Sequence, residues 1–276
     1  ITAYRELHKI ETQGLKWGEH DIDSNTLYYR YGYLGGYSWL NFEREEELDV
    51  GAGVSKSVTK QSAKGIVNDF VNSNAIINNE KLREGGGGKI IIRRPITLVW
   101  YGFVTIGQAA CQTIPTNGCG IGTAMMASKI AAEVIVNAIR RKEVSIDSLW
   151  EYQVRFTQER GRDLATIDIL RLGLQKLNGE DISFLLSKGI ISRMDLENLI
   201  HAKFRKRSFL KSLIVTLKGI KRLKLLLYLR KISAQANKVF AHYKKLPKDY
   251  DTRKYHQWLL RSMQLFREVE DLEPIL

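Results

Sequence analysis

The chain has little cysteine, histidine or proline, and its shortages remove several classes of function. Only two cysteines occur among 276 residues, Cys111 and Cys119. Eight positions apart, they match neither a zinc-ligand spacing nor a CxxC redox pair, and they read as thiols kept reduced in a cytoplasm. The five histidines, His8, His20, His201, His242 and His256, are scattered. None pairs at the helical spacing of a metal-ligand couple, so no metal site is expected. No stretch of 18 uncharged apolar residues is present, so no transmembrane helix is expected. No GxGxxG turn follows a first strand, so the usual N-terminal pyrophosphate-binding unit of a dinucleotide fold is missing. The first residue is Ile1, and the opening ITAYRELHKIETQG carries no signal-peptide core. The segment reads as cut from a longer chain.

Acidic residues are missing from one long stretch. Lys203 to Lys248 holds fifteen Lys or Arg and no Asp or Glu, which exceeds the net charge of +13 for the whole chain. Within it Leu210, Leu213, Ile214, Leu217, Ile220, Leu223 and Leu227 recur at helical spacing. An amphipathic basic helix, or a pair broken near Gly219, is expected. An anionic membrane surface suits it, at about 1 kcal/mol per basic residue near the headgroups. Nucleic acid is disfavoured, because no aromatic or recognition-helix pattern accompanies the charge.

The remainder has two textures. Residues 1 to about 58 read as strands: TLYYRYGY alternates Leu27, Tyr29 and Tyr31, and GGYSWLNF and LDVGAGV flank the charged turn EREEE as a hairpin. Residues 59–74 place Ile66, Phe70 and Val71 on one helical face. REGGGGK is a loop, IIIRRP is extended because Pro95 disfavours a helix before it, and TLVWYGFVTIG is a β-rich run broken at Gly102. Residues 121–142 predict a helix with apolar face Ile121, Met125, Ile130, Val134 and Ala138. From about 146 onward the chain is almost wholly helical, with caps at Ser145, Asp181 and Ser192.

Between the β-rich run and the 121–142 helix lies IGQAACQTIPTNGCGIG, which holds four of the 22 glycines. A glycine-dense turn entering a helix N-terminus lets backbone approach a ligand closely and favours negative charge there, by about 0.3–1 kcal/mol. The segment resembles the second flavin-contact motif of the geranylgeranyl reductase family, within the flavoproteins shaped like p-hydroxybenzoate hydroxylase. Gly107, Gln108, Ala109 and Ala110 align with that family's Gly-Asp-Ala-Ala, Ile114 and Pro115 with its Asn-Pro, and Gly118, Cys119, Gly120 and Ile121 with its glycine triplet. GGYSWLNF resembles the family's Gly-Tyr-x-Trp-x-Phe-Pro substrate motif, and GGGGKIIIRRP its Gly-Gly-x-x-x-x-Arg-Arg-Pro segment.

The resemblance covers roughly residues 24–142. It implies FAD contacts by Gly107, Gln108, Pro115, Gly118, Cys119, Gly120, Ile121 and Gly122, and substrate contacts by Tyr37 and Trp39. The departures are Gln108 for Asp, Ile114 for Asn, and Asn41-Phe42 for Phe-Pro. No catalytic residue is assigned; Tyr37 is the one motif-placed candidate for a general acid. The implied fold is α+β: a β-rich cap or substrate region over residues 1–94, the later half of an FAD domain as strand, loop and helix over 95–145, and a helical C-terminal region over 146–276. The implied activity is FAD-dependent saturation of C=C bonds in prenyl chains of archaeal-type lipids, at the cytoplasmic membrane surface. The missing N-terminal half of the FAD domain is expected as a partner, so FAD should bind these residues weakly or not at all. Another flavin oxidoreductase of the same fold, or a flavin-free membrane or interaction module, stays open.

Overall fold

The N-terminal sheet is assembled around its first strand, β1 (Thr2–Ile10). A computed structural model of the chain describes residues 1–10, 16–17, 20–23, 25–33, 35–44, 46–56, 59–74, 77–204 and 222–273. It divides into two compact units, one of Ile1–Ile90 with Leu177–Ile182, the other of Ile91–Lys176 with Ser183–Leu276. In the first, β1 is followed by the short pair β2 (Lys16–Trp17) and β3 (His20–Asp21), then β4 (Tyr28–Tyr33), β5 (Gly36–Arg44), β6 (Glu47–Val54), helix α1 (Ala63–Ser73), β7 (Ile77–Glu84) and β8 (Gly88–Lys89). The main sheet has the order β4-β5-β6-β1-β7, all antiparallel, with β8 paired to the start of β1.

Alternation decides which face is inside. Leu40, Leu48, Val50, Ala52 and Val54 lie on one face with Tyr4 and Ile10, and α1 covers them with Ala63, Ile66 and Val67, backed by Phe70 and Val71. Each such large side chain contributes about 1.5–3 kcal/mol when fully buried. Ser62 starts α1 by accepting a hydrogen bond from the Gly65 amide at 2.9 Å. The predicted hairpin is present, with β5 and β6 paired from Gly36 opposite Val54 to Arg44 opposite Glu47.

The second unit contains β9 (Val99–Trp100), β10 (Phe103–Val104), α2 (Ile121–Arg141), α3 (Ile146–Phe156) and α4 (Arg162–Leu174). The helices after these are α5 (Gly179–Ser187), α6 (Arg193–Ile200), α7 (Leu223–Tyr243) and α8 (Thr252–Glu270). A π turn at Thr157–Gly161 joins α3 to α4 without a break. Every residue from Leu164 to Arg171 is buried, and α4 packs against α7, where Tyr228 donates to the Gly173 carbonyl at 2.9 Å.

Four expectations are corrected in detail. The β-rich run shrinks to a two-residue ladder turned at Gly102 (φ +59°). Its preceding backbone is satisfied by a helix side chain instead of a strand: Gln153 accepts from the Leu98 amide and donates to the Ile96 carbonyl, both at 2.7 Å. The cap of α5 is Asn178, whose side chain accepts from the Asp181 amide at 2.8 Å, and Asp181 lies inside the first turn. On α2 the inward line is Thr123, Ala127, Ile130, Ala131, Val134 and Ala138, while Ile121 is 82% exposed and Met125 69%. Nine positions of 100° put Ile121 half a turn away from Ile130, so the predicted face joined two opposite lines. Finally, Leu210, Leu213, Ile214, Leu217 and Ile220 lie outside the described residues. Leu223 and Leu227 are exposed, and α7 turns Leu225, Leu226, Leu229, Ile232, Ala236 and Val239 inward.

Candidate functional site

The glycine loop is held by buried polar side chains more than by its glycines. Gly107 (φ +72°) opens a single 3-10 turn, Gly107–Ala110, which Cys111 closes in the left-handed conformation at φ 55°. Cys111 donates its amide to the Gln108 carbonyl at 3.0 Å, and Gln112 donates to the Gly107 carbonyl at 3.1 Å. The fully buried Gln112 side chain then clamps the turn. Its Oε1 accepts from the Gly107 amide at 2.7 Å, and its Nε2 donates to the Tyr152 hydroxyl at 2.8 Å. The Tyr152 hydroxyl in turn donates a hydrogen bond to the Thr105 carbonyl at 3.0 Å, and burial pushes its phenol up to about 12. Neither Gln112 nor Tyr152 was expected among the residues that shape the site.

The second half of the loop is tied to α6. Thr116 donates to the Leu199 carbonyl at 2.7 Å and Asn117 Nδ2 to the Ile200 carbonyl at 3.1 Å. Asn117 Oδ1 also accepts from the Cys119 amide at 3.0 Å, and the Ile114 and Cys119 backbones close the loop at 2.7 Å. Pro115 is buried, Gly118 has φ +75°, and Cys119 is exposed.

Gly120 is the N-cap of α2. It has no side chain to cap the first turn, and that turn carries no acid. The first amides of a helix have no partner within it, so the entrance to α2 can receive an anionic or hydrogen-bond-accepting edge. A Cβ built on Gly120 would come no nearer than 3.7 Å, to Thr113, and one on Gly122 would meet nothing within 4 Å among the described residues. Packing among the described residues therefore does not require glycine at either position. Gln108, Ile121 and Gly122 are exposed alongside.

Tyr37 and Trp39 belong to the first unit. They alternate with Ser38 and Leu40, which face the α1 core, so both aromatics stand on the opposite face of β5. Their rings lie 5.8 Å apart, and Trp39 Nε1 donates to Asp49 Oδ2 at 3.2 Å. Asp49 is buried; burial raises its carboxyl above the usual range, against the opposing pull of Trp39 and Arg5. The Trp39 ring packs against Gly51, where a Cβ would come within 2.0 Å of it.

No family profile matches the chain. Among curated proteins, it is 31% identical over 164 residues to a digeranylgeranylglycerophospholipid reductase of Sulfolobus acidocaldarius, covering 59% of this chain and 36% of that one. It is 30% identical over 211 residues to digeranylgeranylglycerophospholipid reductase 2 of Methanococcoides burtonii, covering 72% of this chain and 50% of that one. The chain thus spans half or less of the length of these relatives. Among solved structures, a geranylgeranyl bacteriochlorophyll reductase-like protein from Thermoplasma acidophilum superposes with a TM-score of 0.61 at 17% identity, over 79% of this chain and 54% of that one. That likeness concerns the fold. The chain is accordingly a homologue, over part of their length, of the digeranylgeranylglycerophospholipid reductases, and its mixed helix-and-sheet fold is that of a flavoprotein.

Proposed function

We propose that these 276 residues are the later half of an FAD-dependent reductase that saturates C=C bonds in the prenyl chains of archaeal-type membrane lipids. One observation carries the flavin part: the entrance to α2 keeps two glycines that no neighbour among the described residues demands, beside amides with no helical partner. Those positions leave room for a flat ring system, and the amides suit its hydrogen-bond-accepting edge. Bound there, FAD would supply the hydride for reduction. The chain's own part is to orient that group: Gly107, Gln108, Pro115, Gly118, Cys119, Gly120, Ile121 and Gly122 form the contact surface, and Gln112 keeps the first turn in shape. Gln108 offers an uncharged amide oxygen where the family has a carboxylate, which weakens one contact. Residues 1–94 form the substrate region, with Tyr37 and Trp39 lining it, and 95–145 form the flavin-contact segment.

We further propose that the ADP half of FAD is held by sequence with no counterpart here, since no GxGxxG unit occurs in these residues, so FAD binds them weakly when alone. The basic stretch Lys203–Lys248 would hold the enzyme to anionic lipid at the cytoplasmic face. Flavin absorbance after desalting tests the reading. The intact reductase carries stoichiometric FAD, and Gly120→Val removes it while leaving the circular dichroism of the protein unchanged, because the new side chain occupies the ring's place. A fully flavin-loaded Gly120→Val protein would show that the loop serves something else.

A further inference from the structure

The Arg-Arg-Pro segment has no part in the flavin-contact surface, yet it forms one wall of an open pocket of about 640 Å³ in the second unit. That volume lies within the usual range for small-molecule sites. Arg93 and Arg94 line it together with Ala109, Ala110 and Cys111 of the turn after Gly107, and with Arg267 and Glu270 of α8. Three arginines and one glutamate thus line the same pocket. The Arg94 guanidinium lies 4.1 Å from the centre of the Phe266 ring, which fixes its plane, and its Nε is buried with no hydrogen-bond partner among the described residues. Arg93 spends one donor on the neighbouring Ile92 carbonyl at 3.2 Å. One guanidinium held over an aromatic ring, with two more lining the same pocket, suits a phosphate oxygen pair. The rest of the wall is apolar: Ile96, Leu259 and Met263.

We propose that this pocket binds a phosphate-bearing amphiphile or nucleotide, with Arg94 as the principal anchor and Arg93 and Arg267 completing the charge. It lies along the same turn that begins the flavin-contact surface, on the side bounded by α8. Two sources carry the same chemistry: the phosphate of the prenyl lipid headgroup, and a nucleotide phosphate, for which FAD serves as the probe. The lipid source rests on the reductase reading; the anion site itself does not.

Calorimetric titration of the 276-residue chain with inorganic pyrophosphate, geranyl monophosphate, FAD and riboflavin tests it. Pyrophosphate and geranyl monophosphate should bind and riboflavin, without phosphate, should not. Arg94→Gln should weaken pyrophosphate about tenfold, the scale of one charge-assisted contact. Arg94→Lys should recover only part of the loss, and Glu270→Gln should tighten binding. Arg141→Gln, whose side chain does not line the pocket, should change nothing. Geranyl monophosphate tighter than pyrophosphate, and not displaced by FAD, identifies the lipid as the source; competition by FAD identifies the nucleotide. Absence of pyrophosphate and geranyl monophosphate binding, or equal affinity in wild type, Arg94→Gln and Arg141→Gln proteins of unchanged circular dichroism, overturns the site. Neither result depends on whether flavin loads at Gly120.

Discussion

Gln112 and Glu6 show how single buried polar groups hold the parts of this chain. Gln112 accepts a hydrogen bond from the Gly107 amide of the 3-10 turn and donates one to the Tyr152 hydroxyl. Gln112→Leu should therefore leave the Gly107 amide and the Tyr152 hydroxyl without their partner, at about 2–3 kcal/mol in a urea titration. A loss below about 0.5 kcal/mol would mean that the turn holds its own shape. Glu6 is buried on the core face of β1 and accepts from Tyr4 at 2.5 Å and Lys81 at 2.6 Å, with His8 Nε2 at 2.8 Å. Burial alone would raise its carboxyl, but the hydrogen bonds from Lys81, Tyr4 and His8 prevail and hold it below its ordinary 4.5. A carboxyl lowered by folding stabilises the protein above its unfolded value, and that contribution is lost as the pH falls through the folded one. Glu6→Gln should cost stability at pH 7 and progressively less below 4.5; an equal cost at pH 7 and pH 3 would rule out the charge as the cause. Neither residue was legible in the sequence. Their partners Tyr152 and Lys81 lie 40 and 75 positions away, and no local spacing marks such a pair.

At the scale of elements, local chemistry was readable and helix phase was not. The β5–β6 hairpin, the face of α1 and the caps at Ser145 and Ser192 follow from alternation, apolar spacing and short polar side chains, all of which act within a few residues. The inward line of α2 did not follow, because it is built of alanine and threonine while the larger apolar residues sit outside. Of the site, the glycine loop and its helix were legible as a motif, but the clamp that holds them was not. Glycines separate in the same way. Gly122, with nothing near its Cβ position, stands in the first turn of α2, and Gly173, near the end of α4, has Ile232 atoms within 2.9 Å of that position. Alanine is favoured over glycine in a helix by up to about 1 kcal/mol. Gly122→Ala should thus raise the melting temperature slightly while weakening FAD binding in the intact reductase. Gly173→Ala should lower it, at about 1–3 kcal/mol, because Ile232 must move. Thermal melts of both variants decide, and equal shifts would mean that α4 and α7 are free to adjust.

For the whole molecule, the positive charge is concentrated in the sequence between Lys203 and Lys248, and the membrane proposal is tested there. The chain should sediment with anionic vesicles and not with neutral ones, and the attraction should fade with salt as the Debye length falls from about 10 Å at 0.1 M to about 3 Å at 1 M. Changing Lys218, Lys221 and Lys224 to Glu should abolish sedimentation with no change in circular dichroism; equal binding to both vesicle types would leave the basic stretch without a membrane role. By length and composition α2 could itself cross a bilayer, yet its inner line is buried and it packs against α3, with Glu133 joined to Arg155 at 2.7 Å. The outer line, Ile121, Met125, Val136 and Ile139, remains exposed. A helix that is apolar on two opposite sides poses an ambiguity while the chain is folding, since hydrophobicity alone would accept either side as the inside. Girth resolves it. Ala127, Ala131 and Ala138 let a neighbour come close, whereas isoleucine and methionine in their place would hold it off by the width of a side chain. The rotation of this helix, and with it the direction in which its first amides point, is chosen by the small residues of its inner line.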